Sequence, residues 1–259
     1  MSDWGAGSYE LTAAELEPAA AVVIDAVEPV AGKTLLDLAC GTGNAALEAA
    51  GRGALVTGLD PAVRLLEVAR GRAAEAGVRV DWVEGDFHGL PFADDSFKVV
   101  TSVFGVIFGA DENDIAAEIS RVLEPSGRMA LATWVDTGLM SKVGALIRGA
   151  VEEMTDLPQA DRPRFEWGAE DDLRFLFANH GLSVQTETRQ ISFHADSPQQ
   201  MSDEWADKHP VWLATRSTVG DERYQRLRSE IVETLEAGNE DPSAMKLTSD
   251  YLVVTGSPV

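Results

Sequence analysis

The stretch Leu35-Leu36-Asp37-Leu38-Ala39-Cys40-Gly41-Thr42-Gly43 constrains the fold more than any other part of the chain. A short apolar run carries one acidic residue, two glycines follow one residue apart, and an alanine-rich stretch begins. This pattern describes a buried strand that turns into a helix through a loop with little side-chain bulk. Glycine permits positive φ and lets backbone approach a ligand closely. The start of the helix presents unpaired N–H groups to that ligand.

Taken alone the loop is ambiguous, because Gly41, Gly43 and Ala46 also satisfy G-x-G-x-x-G/A, a dinucleotide fingerprint. Its neighbours point elsewhere. Asp37 sits at the end of the strand, where a pyrophosphate would meet negative charge. Asp60 closes the next run, Ala54-Leu55-Val56-Thr57-Gly58-Leu59, and Gly85-Asp86-Phe87 closes a third, Arg79-Val80-Asp81-Trp82-Val83-Glu84. Three acidic strand ends in succession suit a ligand with cationic groups, ribose hydroxyls and an adenine amine. S-adenosylmethionine has all three and no phosphate.

Residues 35 to about 135 resemble the class I S-adenosylmethionine-dependent methyltransferases. The blocks that carry the resemblance are LLDLACGTG (35–43), GLDPA (58–62), VEGDFHGLPFADDSFKVV (83–100) and RVLEPSGRMALA (121–132). Ser102-Val103-Phe104-Gly105-Val106-Ile107-Phe108 is similar to a segment of the quinone-biosynthesis C-methyltransferases, and departs from it after Phe104-Gly105. The resemblance implies an α/β fold, a doubly wound, seven-stranded, mostly parallel Rossmann-like sheet with a helical lid insertion. It implies methyl transfer from S-adenosylmethionine, leaving S-adenosylhomocysteine.

The implied roles fall on named positions. Asp37 anchors the loop and reaches the methionine amino group. Ala39, Gly41 and Gly43 lay backbone against the methionine portion. Asp60 accepts from both ribose hydroxyls, since a carboxylate offers two oxygens to two donors. With Pro61 it also reads as an N-cap and first helical residue. Asp86 accepts from the adenine amine, with the Phe87 N–H near the ring, or else forms a turn after Gly85. Ser102 and Phe104, with Val103, close a fourth strand beneath the cofactor. Trp4 and Tyr9 offer aromatic faces to a sulfonium, or belong to a frayed terminus. Cys40 and Leu38 read as packing residues.

Bulk properties narrow the partners. The chain has 21 basic and 43 acidic residues and a net charge of −22. Phosphate neutralisation needs clustered Lys and Arg, and the basic runs Arg64 to Arg79 and Arg216 to Arg228 are interleaved with Glu and Asp. They read as solvated faces, so nucleic acid is not an expected partner. The single Cys40 leaves no internal disulfide. No signal-peptide pattern opens the chain, and no run of about 18 apolar residues forms a membrane span. The expectation is a cytoplasmic enzyme, monomer or homodimer, acting on a small molecule, with secondary metabolism as its setting.

Along the chain, residues 1–30 read as an N-terminal segment and helix, with Leu16, Ala20, Val23 and Val27 at helical spacing. Residues 31–195 and 246–259 form the expected cofactor domain, and residues 196–245 the expected helical lid over the acceptor pocket. Pro158 to Pro163 reads as a linker, and Pro125-Ser126-Gly127 as the stop of the helix from Glu112. Tyr251 to Val254 is the last strand, set antiparallel beside the fifth in the family fold.

The chemistry is in-line attack on a sulfonium methyl, with the reactivity in the cofactor and alignment in the protein. A base is needed only where the acceptor must lose a proton, and His88, His209 and Tyr224 are the candidates. Trp205, Trp212 and Phe193 line an apolar acceptor pocket or pack the lid. His88, His180, His194 and His209 lack metal-ligand spacing and there are no Cys pairs, so no metal site is expected. Two alternatives stand beside methyl transfer: a cofactor-binding member repurposed for another reaction, and a dinucleotide-dependent oxidoreductase.

Overall fold

A computed structural model describes residues 3–109, 111–154 and 165–259. The linker expected from Pro158 to Pro163 lies outside the described residues. The chain divides into two compact units. One takes Ala13–Trp134, Phe165–Arg189 and Tyr251–Val259; the other takes Met1–Thr12, Val135–Arg164 and Gln190–Asp250, so far as these are described.

The first unit holds the parallel strands. They are β1 (Thr34–Leu38), β2 (Leu55–Asp60), β3 (Val80–Glu84), β4 (Phe97–Val103) and β5 (Leu123–Trp134), flanked by helices α2 (Glu17–Ala26), α3 (Asn44–Gly51), α4 (Val63–Ala76), α5 (Glu112–Val122) and α7 (Glu170–Asn179). A short helix α1 (Tyr9–Glu15) precedes them, and a 3-10 turn, Val106–Phe108, follows β4. With β6 (Leu182–Ala195) and β7 (Met245–Pro258) the seven-stranded sheet runs β3-β2-β1-β4-β5-β7-β6. Leu35 pairs with Val56 on one side and Val99 on the other, which puts β1 at the sheet centre. Strands buried on both faces read as continuous apolar runs, and Leu35, Leu36 and Leu38 are almost wholly buried. β7 runs antiparallel to β5, Met129 opposite Gly256 and Trp134 opposite Tyr251.

Helix boundaries show local chemistry at work. α4 starts at Val63 with Ala62 at its N-cap, so Asp60 and Pro61 are not the expected cap and first residue. Asp60 accepts from the N–H of Ala62, that N-cap, and with its other oxygen from the Gly41 N–H, 19 positions away in sequence. The single helix expected within residues 1–30 is two, α1 and α2, because Pro18 lacks an N–H and favours a helix start. α5 ends at Val122, ahead of Pro125, and Glu124 already lies in β5. The residue before a proline is pushed toward extended backbone, which accounts for the early stop.

The second unit is mainly helical, with α6 (Gly138–Glu152), α8 (Pro198–Lys208), α9 (Pro210–Val219) and α10 (Asp221–Gly238). Tyr224, Leu227, Ile231 and Leu235 form the buried stripe of α10, and Val143 and Ile147 that of α6. Trp205 and Trp212 are buried with ring centroids 5.8 Å apart. Phe193 is buried as well. This unit also takes in residues that the sequence assigns to the cofactor domain and the N-terminal segment. Residues 3–12 are packed within it: the Ser8 N–H donates to the Lys208 carbonyl at 3.0 Å. The chain crosses between units inside β6 and inside β7, with no loop at either crossing.

Candidate active site

The carboxyl ends of β1, β2 and β4 and the chain after β3 gather most of the expected site residues in one unit. After β1 the backbone takes positive φ at Ala39 (50°), Gly41 (55°) and Gly43 (87°). A left-handed alanine is disfavoured and persists only where its surroundings hold it. The hold is visible. The Cys40 N–H donates to the Leu59 carbonyl at 3.0 Å. The Gly41 N–H donates to Asp60 Oδ2 at 2.8 Å, and the Ala46 N–H to Asp37 Oδ2 at 3.0 Å. Two strand-end carboxylates therefore brace the loop from both sides.

Both carboxylates are buried, Asp37 2% and Asp60 5% exposed. Burial drives the Asp37 pKa up to about 7, against the opposing hydrogen bonds from Thr101 and Ala46, and the Asp60 charge adds to the rise. Burial raises Asp60 too, against its bonds from the Ala62 and Gly41 N–H groups. Each Asp60 oxygen takes one of these N–H donors. Each keeps a further lone pair for another donor, which suits a pair of ribose hydroxyls.

Gly43 owes its identity to packing within the protein. A Cβ there would lie 2.7 Å from Trp82 Cη2, and one at Gly58 would lie 2.6 Å from Trp82 Cζ3. The indole fills the space that the two glycines leave. Cys40 is buried, and desolvation holds its thiol well above the usual range, so it is a packing residue and not a nucleophile.

The neighbouring strand end is equally constrained. Ser102 Oγ donates to the Leu38 carbonyl at 2.7 Å, joining β4 to β1. Phe104 has φ 58° and stacks on Trp134, centroids 3.9 Å apart and planes 9° apart. Tyr251 meets Phe104 edge-on at 5.5 Å and Trp134 at 6.4 Å. A Cβ at Gly105 would stand 2.5 Å from that of Ala39, so only glycine fits after Phe104. The sequence offered no signal for Trp134 and Tyr251, because the trio forms only when β4, β5 and β7 pair.

Asp86 is exposed and accepts from the His88 N–H at 2.8 Å, forming a turn after Gly85. Phe87 is buried and Pro61 exposed. Tyr9 lies in the other unit, its ring 5.3 Å from Trp4 and 5.8 Å from His209. The base candidates do not converge. The His88 imidazole faces Asp114 at 3.3 Å on the surface. His209 Nδ1 accepts the Val211 N–H at 3.2 Å as the N-cap of α9, and desolvation lowers its pKa to about 4. Tyr224 Oη is buried without a hydrogen-bond partner, and burial raises its pKa.

The acceptor set fits S-adenosylmethionine, and the occupied helix start opposes a dinucleotide. Buried carboxylates attract hydroxyl and amine donors. The Ala46 N–H at the start of α3, a natural seat for a pyrophosphate, is already taken by Asp37.

Comparison with known proteins agrees. A family model described as a methyltransferase domain matches residues 35–127. The demethylmenaquinone methyltransferase of Thermus thermophilus is 34% identical over 180 residues, 63% of this chain and 80% of that protein. An uncharacterized protein of Mycobacterium tuberculosis is 30% identical over 221 residues, 84% of this chain and 79% of its own length. Among solved structures, the YcgJ protein of Bacillus subtilis superposes with a TM-score of 0.64 at 19% identity, covering 92% of this chain and 97% of that one.

Proposed function

Because the chain belongs to the class I S-adenosylmethionine-dependent methyltransferases, we propose that it methylates a small apolar or aromatic molecule by in-line displacement. When bound, S-adenosylmethionine supplies an electrophilic methyl on a sulfonium. Asp60 accepts from the ribose hydroxyls, while the backbone from Ala39 to Gly43, held by Asp37 and Asp60, seats the methionine portion. Asp86 and Phe87 serve the adenine end.

The observation that carries the acceptor class is Trp134 at the carboxyl end of β5, the partly exposed ring of a trio whose other members, Phe104 and Tyr251, are buried. Aromatic faces suit an aromatic acceptor and attract a sulfonium. The chain's part in the reaction is to align the acceptor and exclude water. Of the three base candidates, His209 caps a helix, Tyr224 is buried and His88 is exposed beside Asp114. This favours an acceptor that needs no proton removed by the protein. The helical insertion expected as the lid, residues 196–245, is proposed as the part that selects the acceptor.

Two measurements test this reading. Calorimetry should show S-adenosylhomocysteine binding to the wild type and a loss of about a hundredfold in Asp60→Ala, from two hydrogen bonds to a charged group. Incubation with S-adenosylmethionine and a panel of quinones and aromatic polyketides should add one methyl, and Trp134→Ala should suppress it. Methylation confined to highly polar acceptors, with the aromatic panel untouched, would refute the acceptor class.

A further inference from the structure

The glycine loop has a third brace that comes from a helix. Arg72, on α4, places Nη1 within hydrogen-bond distance of the Thr42 carbonyl (2.9 Å), Thr42 Oγ1 (3.1 Å) and Asn44 Oδ1 (2.7 Å). Its Nη2 donates to Glu17 Oε1 on α2 at 2.6 Å. Asn44 Nδ2 in turn donates to the Ala13 carbonyl at 2.6 Å. Thr42 is 2% exposed, between the two left-handed glycines. One guanidinium thus joins α4, the loop and the start of α2.

Glycines at 41 and 43 leave the loop many conformations in the absence of restraint. Asp60 and Asp37 fix backbone N–H groups at 41 and 46. Arg72 fixes the carbonyl at 42, between them. Holding a binding loop in its bound conformation reduces the entropy lost on binding. The helix itself does not need the arginine, because α4 packs through Leu65, Leu66, Ala69 and Ala73. As a lone surface ion pair with Glu17 it would contribute little. Its value lies in the planar fork, which meets several acceptors at once.

We propose that Arg72 is a positioning residue for the cofactor loop, and that through Glu17 and Asn44 it makes residues 13–26 respond to cofactor occupancy. This rests on the assignment of the loop to S-adenosylmethionine. In sequence Arg72 is one of an interleaved run that reads as a solvated face, and nothing there distinguishes it from Arg64, Arg70 or Arg79.

The test uses the full chain as wild type, Arg72→Gln, Arg72→Lys and Glu17→Gln, with S-adenosylhomocysteine as the probe. Calorimetry should show affinity about tenfold weaker in Arg72→Gln, with Arg72→Lys recovering little, because an ammonium cannot span these acceptors. Hydrogen exchange over residues 13–26 should slow on ligand binding in the wild type. That response should be lost in Arg72→Gln. Glu17→Gln should keep the affinity and weaken the response, which separates the latch from simple loop support even where Arg72→Gln folds poorly. Wild-type affinity in Arg72→Gln, or an unchanged exchange response in both Arg72→Gln and Glu17→Gln, overturns the proposal. Absence of binding to the wild type instead overturns the assignment of the loop to the cofactor.

Discussion

Asp37 shows how one side chain links the loop to pH. Its Oδ2 accepts from the Ala46 N–H and its Oδ1 from the Thr101 hydroxyl, and burial raises its pKa from 3.8 to about 7. A carboxyl that holds its proton more tightly when folded favours the folded state below its unfolded pKa. That advantage fades as pH rises from about 4 to about 7. A shift of this size corresponds to at most about 4 kcal/mol. In Asp37→Asn the amide oxygen can still take the Ala46 N–H, and the amide N–H can donate to Thr101 Oγ1. Urea unfolding at pH 5 and pH 8 should therefore show the wild type losing more stability on going to pH 8 than Asp37→Asn does. Equal changes in the two proteins would mean that Asp37 does not titrate in this window.

At the scale of elements, Trp82 on β3 is the wedge between β2 and the glycine loop. Its ring occupies the places where side chains at Gly43 and Gly58 would begin, and a Cβ at Gly58 would also come within 3.1 Å of Cys40 Sγ. The indole meets both glycines at once, so a side chain at either must displace it. Gly58→Ala should lower stability by about 1–3 kcal/mol, the usual result of overpacking. Trp82→Leu should relieve part of that loss, so that the double variant is more stable than the sum of the single effects implies. Strict additivity in denaturant midpoints would show that the two residues do not share the space. The same wedge explains why the G-x-G-x-x-A pattern occurs here without a dinucleotide: Gly43 makes room for an indole, and the first turn of α3 is engaged by Asp37.

At the scale of the molecule, a net charge of −22 dominates the surface. Arginines are paired locally, as with Arg52 among Asp25, Glu28 and Glu48, and Arg121 with Glu118 and Asp94. Exposed pairs contribute little each, and salt weakens them. The unbalanced carboxylates repel over distances that salt also screens, and they are in excess. The second effect should win. The melting midpoint should rise when salt increases from about 10 mM to about 150 mM, where the Debye length falls to about 8 Å. A midpoint that falls would show that ion pairs outweigh the repulsion. The described helices include none long and apolar enough to cross a membrane.

Strand ends, acidic residues and glycine spacing are local features, and local sequence determined the class of sheet, the position of the cofactor loop and the family. Asp37, Asp60 and the turn at Asp86 stand where the pattern of apolar runs put them. The tertiary structure alone decided which partner each group takes. Asp60 takes the Gly41 N–H with one oxygen and the Ala62 N–H, at the start of its own helix, with the other, because the loop folds back against β2. Arg72 became a brace, and Phe104, Trp134 and Tyr251 a trio, only through pairings of segments far apart in the chain. His209 is a ring contact of Trp4 and Tyr9 and the cap of α9, which no spacing within its own segment encodes. The division into units was hidden for a related reason: β6 and β7 run through both, so no loop marks either boundary. Periodicity records which face a residue buries, and contact between remote segments is settled only when those faces meet.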